Sequence, residues 1–261
     1  MSHKTTATRT PTSVSFSGID GAGKSTQIES LQARLSEAGL RVLLVTFWND
    51  VARLTRIREV SGHTLFQGEK GVGTPDRPVN RQDKNVQSWY MTPVRFCLYF
   101  VDALSLRRVV ARTLKADADV VIFDRYVYDE VANLSVRNPI TRAYVQLLLW
   151  LAPHPDIGYL LDADPVQARA RKPEYPLDFL HSSRASYLAL SKLAGMTIIA
   201  PQPIQDAAQQ ILQDVMKKLS AQGLHSKEAE NPAPGEKGVS LQLDSSPAHR
   251  TGSRDVRPFP L

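Results

Sequence analysis

The segment Gly18-Ile19-Asp20-Gly21-Ala22-Gly23-Lys24-Ser25 constrains this chain more than any other. It fits the spacing G-x-x-x-x-G-K-[ST], which marks a phosphate-cradling loop when a strand precedes it and a helix follows. Both flanks meet that condition. Residues 13–17 read as a short buried strand. Residues 25–38 read as a helix with Ile28, Leu31 and Leu35 on one face and Gly39 as its stop. The residue types follow from the chemistry. Glycines let backbone N–H groups turn inward around phosphate oxygens. The helix N-terminus adds partial positive charge. Lys24 is placed to bridge the β- and γ-phosphates, and the Ser25 hydroxyl to ligate Mg²⁺. ATP and Mg²⁺ are therefore the expected cofactors. Gly18, Asp20, Gly21, Ala22, Gly23, Lys24, Ser25 and Thr26 are the expected nucleotide contacts.

Downstream, apolar runs at 41–47, 120–124, 157–162 and 196–200 alternate with helical patterns at 51–60, 93–115, 180–194 and 204–219. Near-continuous apolar strands in such alternation predict a five-stranded parallel sheet covered on both faces, a three-layer α/β/α sandwich of the P-loop kinase type. Sheets of this kind bind ligands at the carboxyl ends of their strands. The expected organisation is a flexible leader at 1–12 and a kinase domain at 13–220, which carries an insertion loop at 62–90 and a lid at 169–178. Residues 221–261 are rich in Pro, Gly, Ser and charge, lack an apolar face, and read as a disordered tail.

Charge and composition remove several function classes. The formal net charge is +6, but nucleotide phosphates also call for Arg and Lys. There is no long basic run, zinc-finger spacing or aromatic RNA-binding pattern, so no nucleic-acid partner is expected. No apolar run reaches the length of a membrane span, and the first residues lack a secretory h-region, so no membrane partner is expected either. A guanine-reading Asn-Lys-x-Asp is absent, which disfavours a GTPase. The lone Cys97 lies in an apolar stretch and is expected to be buried and inert. With no disulfide possible within the chain, the cytoplasm is the expected compartment.

Beyond the loop, an ordered set of segments resembles the thymidylate kinase family of nucleoside monophosphate kinases. GIDGAGKSTQIESL resembles the family's opening, with the acidic Asp20 inside the loop. Asp124-Arg125-Tyr126 resembles its Asp-Arg-Tyr motif. LDADPVQARAR, ending at Arg171, resembles the passage from strand to lid. DFLHSSRASYLAL, beginning at Asp178, resembles the helix after the lid. The resemblance implies phosphoryl transfer from ATP to a nucleoside monophosphate, with dTMP to dTDP as the expected reaction and small-molecule nucleotides as substrates. It implies that Arg125 grips the acceptor phosphate as a bidentate guanidinium and that Asp20 lies near the acceptor sugar. Asp124, at a strand's carboxyl end, is expected to hold the Mg²⁺ shell or orient the acceptor phosphate. Some members carry an arginine inside the loop. Here that position is Ala22, so Arg169 and Arg171 of the lid, with Lys172 beside them, are expected to supply the transition-state charge. Lys24, Asp124, Arg125, Arg169 and Arg171 are thus the expected catalytic set.

The acceptor half departs from the family pattern. Thr46-Phe47-Trp48-Asn49-Asp50 stands where the family has an Arg-Glu-Pro turn. Tyr99 is the candidate for stacking on the base, but four residues later the chain has Ala103 instead of arginine. Ser17 replaces the acidic residue usual before the loop glycine. Lys70, Arg77, Arg81, Lys84, Trp89 and Tyr90 in the 62–90 insertion are candidates for a different acceptor pocket. The residues leave open another acceptor (a different nucleotide, a sugar or a lipid precursor), an ATP-binding module without turnover, and a homodimer.

Overall fold

The strand that feeds the phosphate loop is also the centre of the sheet. β1 (Thr12–Ser17) is buried along its whole length because parallel strands pair with it on both sides. In this computed structural model, which describes residues 10–51, 91–134 and 138–223, the remaining strands are β2 (Val42–Thr46), β3 (Val120–Asp124), β4 (Ile157–Leu161) and β5 (Thr197–Ile199). The sheet is five-stranded, parallel throughout, in the order β2-β3-β1-β4-β5. Register pairs Phe16 with Asp124 and Ser17 with Leu160. The ends of β3 and β4 therefore flank the root of the loop, at the reversal of strand order where such sheets bind ligands.

The helices are α1 (Lys24–Glu37), α2 (Met91–Thr113), α3 (Val127–Val131), α4 (Pro139–Leu151), α5 (Pro165–Arg171), α6 (Leu177–Ala194) and α7 (Ile204–Ala221). α1 packs on α7, and α2 packs on α3 and α4, forming the two helical layers. α1 buries Ile28, Leu31 and Leu35, the face read from the sequence. α7 is strongly amphipathic and buries Ala207, Ile211, Val215 and Leu219 at helical spacing. α5 is short but well started: the Asp164 carboxylate accepts from the N–H groups of Val166 and Gln167, each at 3.0 Å, and Pro165 opens the helix.

Several features differ from expectation, and α3 and α5 have no counterpart among the helical patterns read from the sequence. The strand expected to reach Phe47 stops at Thr46, and Phe47–Val51 forms a π-helical turn. There the Asp50 carboxylate accepts from the Thr46 N–H at 2.7 Å, and Phe47 and Val51 are fully buried. α4 too has no counterpart in the sequence reading, although Val145, Leu148 and Leu149 are buried at helical spacing; Ile140, Leu147 and Trp150 stand exposed. Cys97 is exposed, not buried. α2 buries Tyr99, Ala103, Leu106 and Val110. Position 97 lies two residues before Tyr99, about 200° around the helix, and so points away from that face.

The chain divides into units Met1–Ala229 and Glu230–Leu261, and all described residues lie in the first. The helix expected from Val51 onward, the 62–90 insertion and residues 224–261 lie outside the described residues. Among those described, no helix is long and apolar enough to cross a membrane.

Candidate active site

The loop between β1 and α1 is shaped by its own backbone. Gly18 and Gly21 adopt φ values of 145° and 84°, a region that residues with a Cβ rarely enter. Space is equally restrictive. A Cβ on Gly21 would lie 2.2 Å from the Ala168 carbonyl oxygen, and one on Gly18 would lie 2.6 Å from that of Leu161. The loop therefore comes backbone to backbone with β4 and with α5, the helix that leads into the expected lid. Lys24 is only 6% exposed, and its ammonium donates to the carbonyls of Gly18 at 2.7 Å and Ile19 at 2.9 Å. The positive charge is thus held at the loop and not in solvent. Ser25 and Thr26 are exposed in the first turn of α1.

Across the loop mouth lies Arg125, the one non-glycine with positive φ (68°) among the described residues. Its N–H donates to the Phe16 carbonyl at 3.1 Å, continuing the sheet pairing past Asp124. Its guanidinium donates to the Asp20 carboxylate at 2.6 Å and lies 3.6 Å from that of Asp129. The side chain is 17% exposed, so these charges act with little solvent screening. Burial pulls the arginine's pKa down, but Asp20 and then Asp129 more than reverse this and raise it above its ordinary value. Arg125 stays a cation, and with five donors it keeps capacity for a planar anion.

Asp129 itself was not read from the sequence. It accepts from the Ser17 hydroxyl at 2.7 Å, the Tyr126 N–H at 3.1 Å and the Tyr187 hydroxyl at 2.8 Å. Burial, then the charge of Asp129, hold the Tyr187 hydroxyl well above the usual tyrosine pKa. The available signal was an acid four residues after Arg125, one helical turn on. Tyr187 had no such signal, because it comes from α6, 58 residues away from Asp129. Gly18, Asp20, Asp129, Asn133, Phe179 and Tyr187 are among the residues lining a cleft beside the loop.

The other expected residues are dispersed. Asp124 is partly buried at the end of β3, next to β1. It carries no ion pair among the described residues. With the Ser25 hydroxyl it offers the hard oxygen ligands that Mg²⁺ prefers, and such ions commonly take only one or two protein ligands beside phosphates and water. No cluster of three or more His, Cys, Asp or Glu occurs among the described residues. Arg169 and Arg171 do not converge. Arg169 donates to the Tyr175 carbonyl within the lid, whereas Arg171 is exposed and its Nε reaches the Gln167 carbonyl at 3.3 Å. Lys172 pairs with the buried Glu174 at 3.3 Å. Tyr99 is buried in the core cluster, as is Ala103. A further cation unread from sequence, Arg184 of α6, binds Asp162 in a two-pronged pair at 2.6 and 2.7 Å, tying α6 to the end of β4.

Comparison with known proteins gives consistent matches. The chain is 29% identical over 208 residues to a thymidylate kinase of Bifidobacterium longum (strain DJO10A), covering 76% of this chain and 90% of that one. It is 27% identical over 227 residues to a thymidylate kinase of Solidesulfovibrio magneticus, covering 79% and 99%. Among solved structures, the thymidylate kinase of Ehrlichia chaffeensis superposes with a TM-score of 0.52 at 16% identity, covering 79% of this chain and 99% of that one. The Candida albicans enzyme gives 0.55 at 15%, covering 80% and 92%. These superpositions establish the shared fold. No family profile matches the chain.

Proposed function

We propose that this chain, a thymidylate kinase-like P-loop kinase, transfers the γ-phosphoryl group of ATP to thymidine monophosphate. The observation that carries the reading is the Arg125–Asp20 pair at 2.6 Å. It holds a partly buried, permanently charged guanidinium against the phosphate loop at Asp20. A donor cradle and an acceptor grip in contact through that pair would meet the proximity that phosphoryl transfer needs.

On this reading, the loop N–H groups and Lys24 hold the β- and γ-phosphates, with Lys24 exchanging its loop carbonyls for phosphate oxygens. Ser25 and Asp124 would hold Mg²⁺, which supplies charge neutralisation on the migrating group. Arg125 holds the acceptor phosphate and Asp20 both steadies that arginine and faces the acceptor sugar. The lid α5 already meets the loop at Gly21, so closure excludes water from the transfer path. Of the two lid arginines, which do not converge, Arg169 would supply charge from the lid side. A reaction that consumes ATP fits a cytoplasmic setting.

A transfer assay of purified protein against a panel of nucleoside monophosphates and simple sugars tests this. Thymidylate is expected to be the best acceptor. Turnover of a different acceptor, with thymidylate inert, would keep the kinase chemistry and remove the substrate. ATP binding with no acceptor turned over would remove both.

A further inference from the structure

We infer that Asp129 is a positioning residue for the acceptor side, setting Arg125 from behind and joining the root of the phosphate loop to the helix that follows the lid. The inference rests on the proposed role of Arg125.

Arg125 holds φ 68°, where a side chain with a Cβ is disfavoured. Such conformations persist only where the surroundings over-determine them. Here the carboxylate of Asp129 accepts from the N–H of Tyr126, the residue just after the strained one, and stands 3.6 Å from the Arg125 guanidinium. One side chain thereby holds both the backbone and the head group of Arg125.

The same carboxylate reaches two other elements. Oδ2 also takes the hydroxyl of Ser17, the residue immediately before Gly18, and Oδ1 takes the hydroxyl of Tyr187 on α6. The Asp129 side chain is 1% exposed, and its two oxygens are occupied by Ser17, Tyr126, Tyr187 and Arg125. A buried carboxylate without such partners would be costly, so the arrangement resists any shift of one member alone. The guanidinium is 3.6 Å away, beyond hydrogen-bond range. Asp129 therefore steers Arg125 by charge and leaves its donors to Asp20 and the acceptor phosphate. Ser17, where the resembled family places an acid, is instead hydrogen-bonded to one.

The test measures acceptor and ATP parameters separately, by steady-state kinetics and by calorimetric binding of thymidylate, for wild type, Arg125→Ala, Asp129→Asn and Tyr187→Phe. Asp129→Asn keeps the shape and removes the charge. It is expected to raise the acceptor KM and Kd about tenfold, with the ATP KM within about twofold. Tyr187→Phe, which leaves the carboxylate and removes one donor, is expected to raise the acceptor KM a few-fold, again sparing ATP. If Asp129→Asn does not fold, Tyr187→Phe decides: an unchanged acceptor KM overturns the inference. It is also overturned if Asp129→Asn lowers the melting temperature but leaves both KM values unchanged, or raises both alike, because a merely structural residue would do that. If Arg125→Ala leaves thymidylate binding intact, or wild type binds none, the functional reading itself falls and takes the inference with it. If Arg125→Ala abolishes acceptor binding while Asp129→Asn does not weaken it, the inference alone fails.

Discussion

The two sides of the site are built by different means. On the proposed reading, the donor side is a single continuous segment, Gly18 to Ser25, whose shape comes from backbone torsions and whose phosphate contacts would be mostly main-chain N–H groups. The acceptor side is assembled from side chains on separated elements: Asp20 in the loop, Arg125 after β3, Asp129 on α3 and Tyr187 on α6. A cradle of backbone amides tolerates side-chain change wherever torsions permit. A side-chain network depends on every member, since each buried carboxylate or hydroxyl that loses its partner pays a desolvation penalty. The donor side should therefore break sharply at a few positions, and the acceptor side should degrade in graded steps.

The sharpest break is expected at Lys24. Its alanine variant should lose 10²–10³ in turnover, about 3–4 kcal/mol of transition-state stabilisation, while circular dichroism shows an intact fold. Wild-type turnover in that variant would remove the donor side from the mechanism. Next comes Arg125→Ala, expected to raise the acceptor KM or lower kcat by about 10–10², since a hydrogen-bonded charge contact is worth about 1.5–3 kcal/mol. ATP affinity should stay within a few-fold. Comparable damage to ATP binding would mean that the two sides are one unit.

Gly21→Ala sits on the border between them. The added Cβ would meet the Ala168 carbonyl at 2.2 Å, so the lid must retreat from the loop. The expected result is about a tenfold loss of kcat and faster limited proteolysis within 165–176, with the melting temperature lowered only modestly. A smaller effect is expected in the lid itself. Arg169→Ala should reduce kcat more than Arg171→Ala, because Arg169 is bound to the lid backbone while Arg171 is exposed. Equal and negligible effects would take the lid arginines out of the chemistry.

Alkaline pH offers a test of the buried tyrosines, of which Tyr187 belongs to the acceptor side. Burial pushes Tyr128 up to about 12, and burial also raises Tyr126 and Tyr187 well above the ordinary value. Above about pH 10 the unfolded chain loses these protons while the native chain keeps them. The unfolded state then binds fewer protons, so stability falls as pH rises, by about 1.4 kcal/mol per pH unit for each such tyrosine. The contribution is fully present below pH 10, and the share of Tyr128 is lost between about 10 and about 12. Urea melts from pH 8 to 11.5 would show this as a falling midpoint. A flat profile would mean that these hydroxyls ionise as readily in the folded protein.

What could be read without a structure was what local chemistry encodes. The loop motif, its strand and helix, the single apolar strands and the amphipathic α1 and α7 each show in a window shorter than about twenty residues, and their alternation along the chain points to the parallel sheet, because a phosphate cradle and a buried strand impose their own spacing. The Arg125–Asp20 pairing was half legible, through the resemblance of separate motifs but not through any one segment. Tertiary structure alone decided the rest. It brought Tyr187 and Ser17 to Asp129 across 58 and 112 residues. It turned Cys97 outward and buried Tyr99. It buried Val145, Leu148 and Leu149 of the 139–151 helix and left Ile140, Leu147 and Trp150 exposed. In each case the deciding quantity was which surface another element covers, and no periodicity within the segment carries that information.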